Sequence, residues 1–115
     1  AIAAKRLSGA DVVRPSVSRA YYAVYSLVTS RLTERGVRGF GRFGNPSHAD
    51  LPKLVTNGLS DLSVGRRREL SKLVRRLRLA REIADYRPSV GLSETDRIDV
   101  IRGMILAVGM LGGLA

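Results

Sequence analysis

Residues 17–32 read VSRAYYAVYSLVTSRL, and this stretch decides the fold class. Val17, Ala20, Tyr21, Val24, Leu27, Val28 and Leu32 fall on one face of an α-helix, the pattern of a 3.6-residue period. Arg14-Pro15-Ser16 opens the helix, because proline is tolerated in a first turn, where its missing N–H had no partner. Gly36 closes it.

The punctuation on either side divides the rest of the chain into helices as well. Gly36 to Pro46 holds four glycines, two phenylalanines and a proline, and reads as a surface loop. Ser47 then has the chemistry of an N-cap for a short helix, with Leu51, Leu54 and Val55 inward and Gly58 past its end. After a break at Leu59 to Ser63, Val64 to Tyr86 forms a long helix. Its Leu70, Leu73, Leu77, Ala80 and Ala84 alternate three and four apart, a seam of about two heptads. Arg68, Lys72, Arg75 and Glu82 lie opposite that seam, flanked by Arg76 and Arg78, and Pro88 ends the helix. Ser93 with Asp96 makes a capping box, aspartate standing in for the usual glutamate. A last helix follows through Ile98, Ile101, Ile105 and Val108 and frays at Gly112-Gly113. Upstream, Ala1 to Leu7 reads as a short leading helix that stops at Ser8-Gly9. No strand-like alternation and no internal repeat appears. The expected architecture is all-α: an up-and-down bundle of four main helices plus a short N-terminal one, a single domain over residues 1–115.

Composition narrows the chemistry. A chain of 115 residues buries roughly two-thirds of its unfolded surface, enough for a core without staples. With no cysteine, disulfides, thiolate metal sites and thiol catalysis are excluded, and one histidine excludes a His-rich metal site within one chain. No cofactor is implied. The longest apolar run, Met104 to Ala115, falls short of the about 20 residues of a membrane span, so no membrane partner is expected. Nothing resembles a signal peptide, which points to the cytoplasm; the absence of a starting Met suggests a trimmed N-terminus. Twenty Lys+Arg against ten Asp+Glu give a net charge of +10 and a pI near 11.2, a balance that favours anionic partners such as nucleic acid or an acidic protein. Only Lys5, Lys53 and Lys72 are lysines, so Arg-rich codon usage is a competing account of the charge.

Two segments carry a resemblance. Ser18-Arg19-Ala20-Tyr21-Tyr22-Ala23-Val24-Tyr25 lies in the first long helix. Arg81-Glu82-Ile83-Ala84-Asp85-Tyr86-Arg87-Pro88 begins 63 positions further on and closes the long basic helix. An S-R-A-Y-Y-A run followed by an R-x-x-A-D-Y-x-P ending is similar to one branch of the HEPN family, the higher-eukaryote and prokaryote nucleotide-binding helical domains. The Ser47-His48 pair between them resembles that branch too, so the likeness spans Arg14 to Pro88. It implies a helical bundle that forms homodimers. It also implies a cognate partner such as a nucleotidyltransferase or antitoxin, in a toxin–antitoxin or stress setting. Active members of the family are metal-independent ribonucleases with an R-x(4–6)-H motif.

The residues themselves give a more modest reading. Tyr21 points with the apolar face, whereas Arg19 and Tyr22 point away from it. Asp85 lies one turn after Arg81, an i,i+4 pair worth about 0.3–0.5 kcal/mol when exposed. The expected cluster has Arg19 or Arg81 pairing with Asp85, with Tyr22 or Tyr86 lending a hydroxyl, and its role is architectural. Arg42 and His48, with five residues between them, formally satisfy R-x(4–6)-H. Histidine suits acid–base work near neutral pH, and arginine suits a scissile phosphate. However, Phe43-Gly44-Asn45-Pro46 intervenes in a Gly-rich loop, so no catalytic centre is assigned. There is no Walker loop, no G-x-G-x-x-G and no carboxylate set for a metal.

From Arg66 to Arg87 the chain carries nine basic and three acidic residues. Arg66-Arg67-Arg68 stands at a helix N-terminus, where cations oppose the macrodipole, an arrangement that an anionic partner would relieve. The binding candidates are therefore Arg68, Lys72, Arg75 and Arg76, with RNA the first partner to consider. The expected function is an HEPN-like, homodimeric interaction module. The alternative is a metal-independent ribonuclease toxin using Arg42 and His48.

Overall fold

Val13 and Val17 stand one turn apart, and both are buried, which carries the first helix upstream of the proline expected to open it. In the computed structural model, which describes residues 10–37 and 47–112, helix α1 runs Ala10–Glu34 with Pro15 inside. Pro15 forfeits one backbone hydrogen bond in the second turn, a loss that burial of Val13 and Val17 offsets in part. The helix ends as Gly36 requires. At φ 72° it turns the chain, its N–H reaches Thr33 O at 3.0 Å and the Val37 N–H reaches Leu32 O at 3.1 Å, a Schellman closure.

Helix α2 is Leu51–Gly58 and starts later than Ser47 suggested. Ser47 Oγ accepts from the Asp50 N–H at 3.2 Å, but residues 48–50 form a turn and Asp50 occupies the N-cap position. Pro52 is the reason: it has no N–H to bond back to His48, so a continuous helix from 48 has no support there. Gly58 is the last helical residue instead of lying past the end. A Cβ there would lie 2.8 Å from Leu32 Cδ2 and 3.1 Å from Val37 Cγ2, so the end of α2 presses against the end of α1.

Helix α3 spans Val64–Tyr86, capped by Ser63 Oγ accepting from the Arg66 N–H at 3.2 Å. Its seam enters the core through Leu70, Leu73 and Leu77, joined by Val74, while Ala80 and Ala84 pack at the margin. Arg14 of α1 covers the other end of α3. Its guanidinium donates to Ile83 O at 2.8 Å, to Ala84 O and Arg87 O at 3.2 Å, and to Pro88 O at 3.3 Å. Ile83 O also takes the Arg87 N–H at 3.2 Å and Arg87 O the Val90 N–H at 3.1 Å, so Arg14 adds a tertiary cap to an end partly closed by backbone.

Helix α4, Glu94–Met110, begins in the full Ser93/Asp96 capping box, but it turns a different face inward from the one the isoleucines suggested. Val100, Gly103, Ala107 and Leu111 are buried, whereas Ile98 and Ile105 are 39% and 51% exposed. Both faces of this helix are apolar, so periodicity alone could not choose between them. Close approach to α3 does: a Cβ at Gly103 would stand 3.4 Å from Leu77 Cδ2, a spacing that β-branched side chains would not permit.

The four helices form an all-α bundle around one core. Tyr21 meets His48 just before α2, and Leu32 meets Gly58 at its end, so α1 and α2 run in the same sense. Helix α3 returns against both, and α4 reverses again to bring Leu111 O within 3.1 Å of Arg31 Nε. Among the described residues no helix is long and apolar enough to cross a membrane. The expected leading helix and most of the Gly-rich loop, with Arg42, lie outside the described residues, as does Gly113.

Candidate functional site

Ser18, Tyr21, Tyr22 and Tyr25 are spaced i, i+3, i+4 and i+7 on α1, which aligns them as one stripe beside α3 and the turn that leads into α2. Tyr21 is fully buried, and its hydroxyl lies 2.7 Å from His48 Nδ1. The His48 ring packs among the tyrosines, with centroids 4.7 Å from Tyr25, 5.4 Å from Tyr21 and 5.8 Å from Tyr22. Burial pushes the Tyr21 hydroxyl up to about 12, with Arg81 pulling the other way. Tyr21 therefore keeps its proton, and its hydroxyl shares a hydrogen bond with His48 Nδ1.

Arg81 holds the other half of the cluster. Only 7% exposed, it donates from Nη2 to Tyr22 Oη at 2.6 Å and to Tyr86 Oη at 3.2 Å. Its Nε stands 3.2 Å from Asp85 Oδ2, which also accepts from Ser18 Oγ at 3.2 Å. The guanidinium carbon lies 5.3 and 5.0 Å from the Tyr22 and Tyr86 ring centroids, within cation–π range. Burial works against the charge on Arg81, but the Tyr22 hydrogen bond, with the charges of Tyr22, Tyr86 and Asp85, holds its pKa above the ordinary value. Arg19 does not join this cluster; its Nε donates to Pro15 O at 3.3 Å on the outer side of α1.

Burial, then the positive fields of Arg81 and Arg78, holds the His48 pKa below its usual value, with Glu82 opposing. A depressed folded-state pKa means that the unfolded chain binds the proton more readily. The contribution of His48 to stability is therefore complete above about pH 6.5 and is lost as pH falls through its lower folded-state value. In urea unfolding between pH 7.5 and 5, the wild-type midpoint should decline more steeply than that of His48→Gln. Parallel declines would mean that His48 feels no such field.

The basic residues of α3 divide by where they lie around the helix. Arg68, Lys72 and Arg75 stand in solvent on successive turns, with no ion pair among the described residues. Arg76, also exposed, lies on the α4 side, on the rim of an apolar groove of about 260 Å³ that it shares with Asp96 and Asp99. Arg67 donates to Thr56 O at 3.1 Å, and Arg78 pairs with Glu82 at 3.0 Å, both turned toward neighbouring structure. No three histidine or carboxylate side chains among the described residues lie together as metal ligands would.

Several of these roles were hidden in the sequence. Tyr21 read as a core residue and is one, but its hydroxyl fixes the histidine. Lys53 and Arg78 gave no periodic signal that they line one groove between α2 and α3. No family model, curated protein or solved structure matches the chain.

Proposed function

We propose that the chain is an HEPN-like interaction module that works as a cytoplasmic homodimer and binds an anionic partner, RNA, through the exposed face of α3. The observation that supports this is the row of Arg68, Lys72 and Arg75, three solvated cations on successive turns with no ion pair among the described residues. Several other arginines have an answering carboxylate: Arg31 with Glu34, Arg35 with Asp61, Arg97 with Glu94. A basic face left unpaired is the arrangement from which condensed counterions on a phosphate backbone are displaced. The cluster of Tyr21, Tyr22, His48, Arg81 and Asp85 has an architectural role in this reading, tying α1 to α3 and to the start of α2.

Replacing Arg68, Lys72 and Arg75 together by glutamine should weaken RNA binding and flatten its salt dependence. Each phosphate contact contributes about −0.7 to −0.9 to the slope of log affinity against log salt, so the slope should change by about two or three. All three side chains lie in solvent, so the helical spectrum should be unchanged. Fluorescence titration with a labelled RNA at several salt concentrations measures both quantities, and light scattering on the same samples gives the stoichiometry. Unaltered affinity and slope in the triple variant would remove α3 as the RNA surface. Tight binding to an acidic protein in place of RNA would redirect the reading to a cognate protein such as a nucleotidyltransferase.

A further inference from the structure

Lys53 on α2 and Arg75 and Arg78 on α3 line one open groove together with Thr56, Asn57 and Ser71. No carboxylate lies among its lining residues. We propose that this groove is a binding site for a phosphate group, seated between Lys53 of α2 and the Arg75 and Arg78 guanidiniums of α3. The proposal rests on the reading of α3 as an anion-binding helix and deepens it: it names the ligand group and a concave site that shares Arg75 with the exposed row and adds Lys53 and Arg78.

The groove walls are fixed. Ser71 Oγ, buried, donates to Pro52 O at 3.0 Å, Thr56 Oγ1 donates to the same carbonyl at 3.1 Å, and Arg67 Nη1 holds Thr56 O at 3.1 Å. Packing thus draws cations from two helices to one concavity, where of the three only Arg78 has an answering carboxylate, Glu82. Lys53 and Arg75 have no ion pair among the described residues. Arg78 gives Nη2 to Glu82, yet its Nε–H is shielded from solvent and has no acceptor. Like charges held this way repel, and an anion between them turns the repulsion into charge-assisted hydrogen bonds. Phosphate fits best, because its several oxygens can accept from the forked guanidiniums and the ammonium at once, with the Asn57 amide as a further donor. The groove, of about 480 Å³, falls within the range of about 300–1,000 Å³ that small-ligand sites occupy. Both free phosphate and a nucleic-acid backbone carry this chemistry.

His48 is the only imidazole in the chain and precedes Ala49, which lines the groove, so its ring signal reports on the site. The Tyr21 hydroxyl, the Tyr22 and Tyr25 rings, Arg78, Arg81 and Glu82 face or act on that ring. A phosphate beside Arg78 offsets its field and moves the His48 resonance. The experiment follows the His48 ring protons by NMR at fixed pH and ionic strength while inorganic phosphate replaces chloride. The expected result is a saturable shift in the wild type, with affinity about tenfold weaker in Lys53→Gln and in Arg75→Gln, and unchanged circular dichroism. A shift equal to that in chloride, or one that both variants keep, overturns the proposal. An RNA oligonucleotide with a 5′-hydroxyl end distinguishes the sources. If it moves the same resonance and phosphate reverses the effect, the groove takes a backbone diester. If only inorganic phosphate moves it, the groove takes a free phosphate group. RNA binding that survives Lys53→Gln with an unresponsive His48 defeats the groove and spares the α3 face; phosphate binding without RNA binding does the reverse.

Discussion

Leu77→Ala should lower the unfolding free energy by about 2–5 kcal/mol, the range for emptying a buried leucine site. Leu77 is 2% exposed and packs against α4 at Gly103. Its Cδ2 lies 3.4 Å from the point a Gly103 Cβ would occupy, and Leu73 Cδ2 lies 3.8 Å from that point. Gly103 cannot fill the space left behind, so the cavity term adds to the lost transfer energy. This geometry also forecasts a coupling. Gly103→Ala alone sets a helix-propensity gain of up to about 1 kcal/mol against a tight contact with Leu77. In the Leu77→Ala background that contact is gone and the new methyl enters the cavity. The double variant should therefore be more stable than the sum of the two single changes implies. Urea denaturation of the four proteins measures the cycle. A Leu77→Ala cost below about half a kilocalorie, or strict additivity, would mean that α4 does not lie against this part of α3.

Arg81→Ala should cost about 2–4 kcal/mol, by loss of a buried aliphatic stem and of several hydrogen bonds to a charged group. The loss is spread over two helices, since Arg81 binds Tyr22 of α1 as well as Tyr86 and Asp85 of its own helix. Arg81→Lys should recover less than half of it, because an ammonium cannot place donors toward two hydroxyls and a carboxylate in the fork geometry of a guanidinium. A second readout separates this local network from general damage. Arg81 is one of the charges that hold the His48 pKa down, so its removal should let the His48 imidazole titrate at higher pH. If the stability loss appears with no change in the His48 titration, the two halves of the cluster are not electrostatically joined. If Lys substitutes fully, the hydroxyl contacts contribute little.

The helix boundaries illustrate what local chemistry carries. Val64 to Tyr86, the Ser93/Asp96 box and the Gly36 stop are set by side chains within a turn of where they act, and each was legible from residues 63–96 and 31–37 alone. The start of α1 was not, since Pro15 signals an opening locally while Val13 finds its partners elsewhere in the bundle. The start of α2 shifted for a local reason that the Ser47 signal masked, the missing Pro52 N–H. Within the tyrosine–arginine cluster, residue types and spacing marked Tyr22, Arg81, Asp85 and Tyr86 as candidates. They could not show that Arg81 rather than Arg19 would turn inward.

The sequence by itself determined that this protein is helical, where most of its helices stop, and that its third helix would be strongly basic, because periodicity, capping and charge are properties of contiguous residues. Tertiary structure alone decided which face of α4 is inside, that Arg14 would cap the end of α3, that Tyr21 would hold His48, and that Lys53 would share a groove with Arg75 and Arg78. Each of those outcomes joins residues distant in the chain, and the choice among equally apolar or equally charged faces rests on how closely two helices can approach: Gly103 against Leu77, and Gly58 against Leu32.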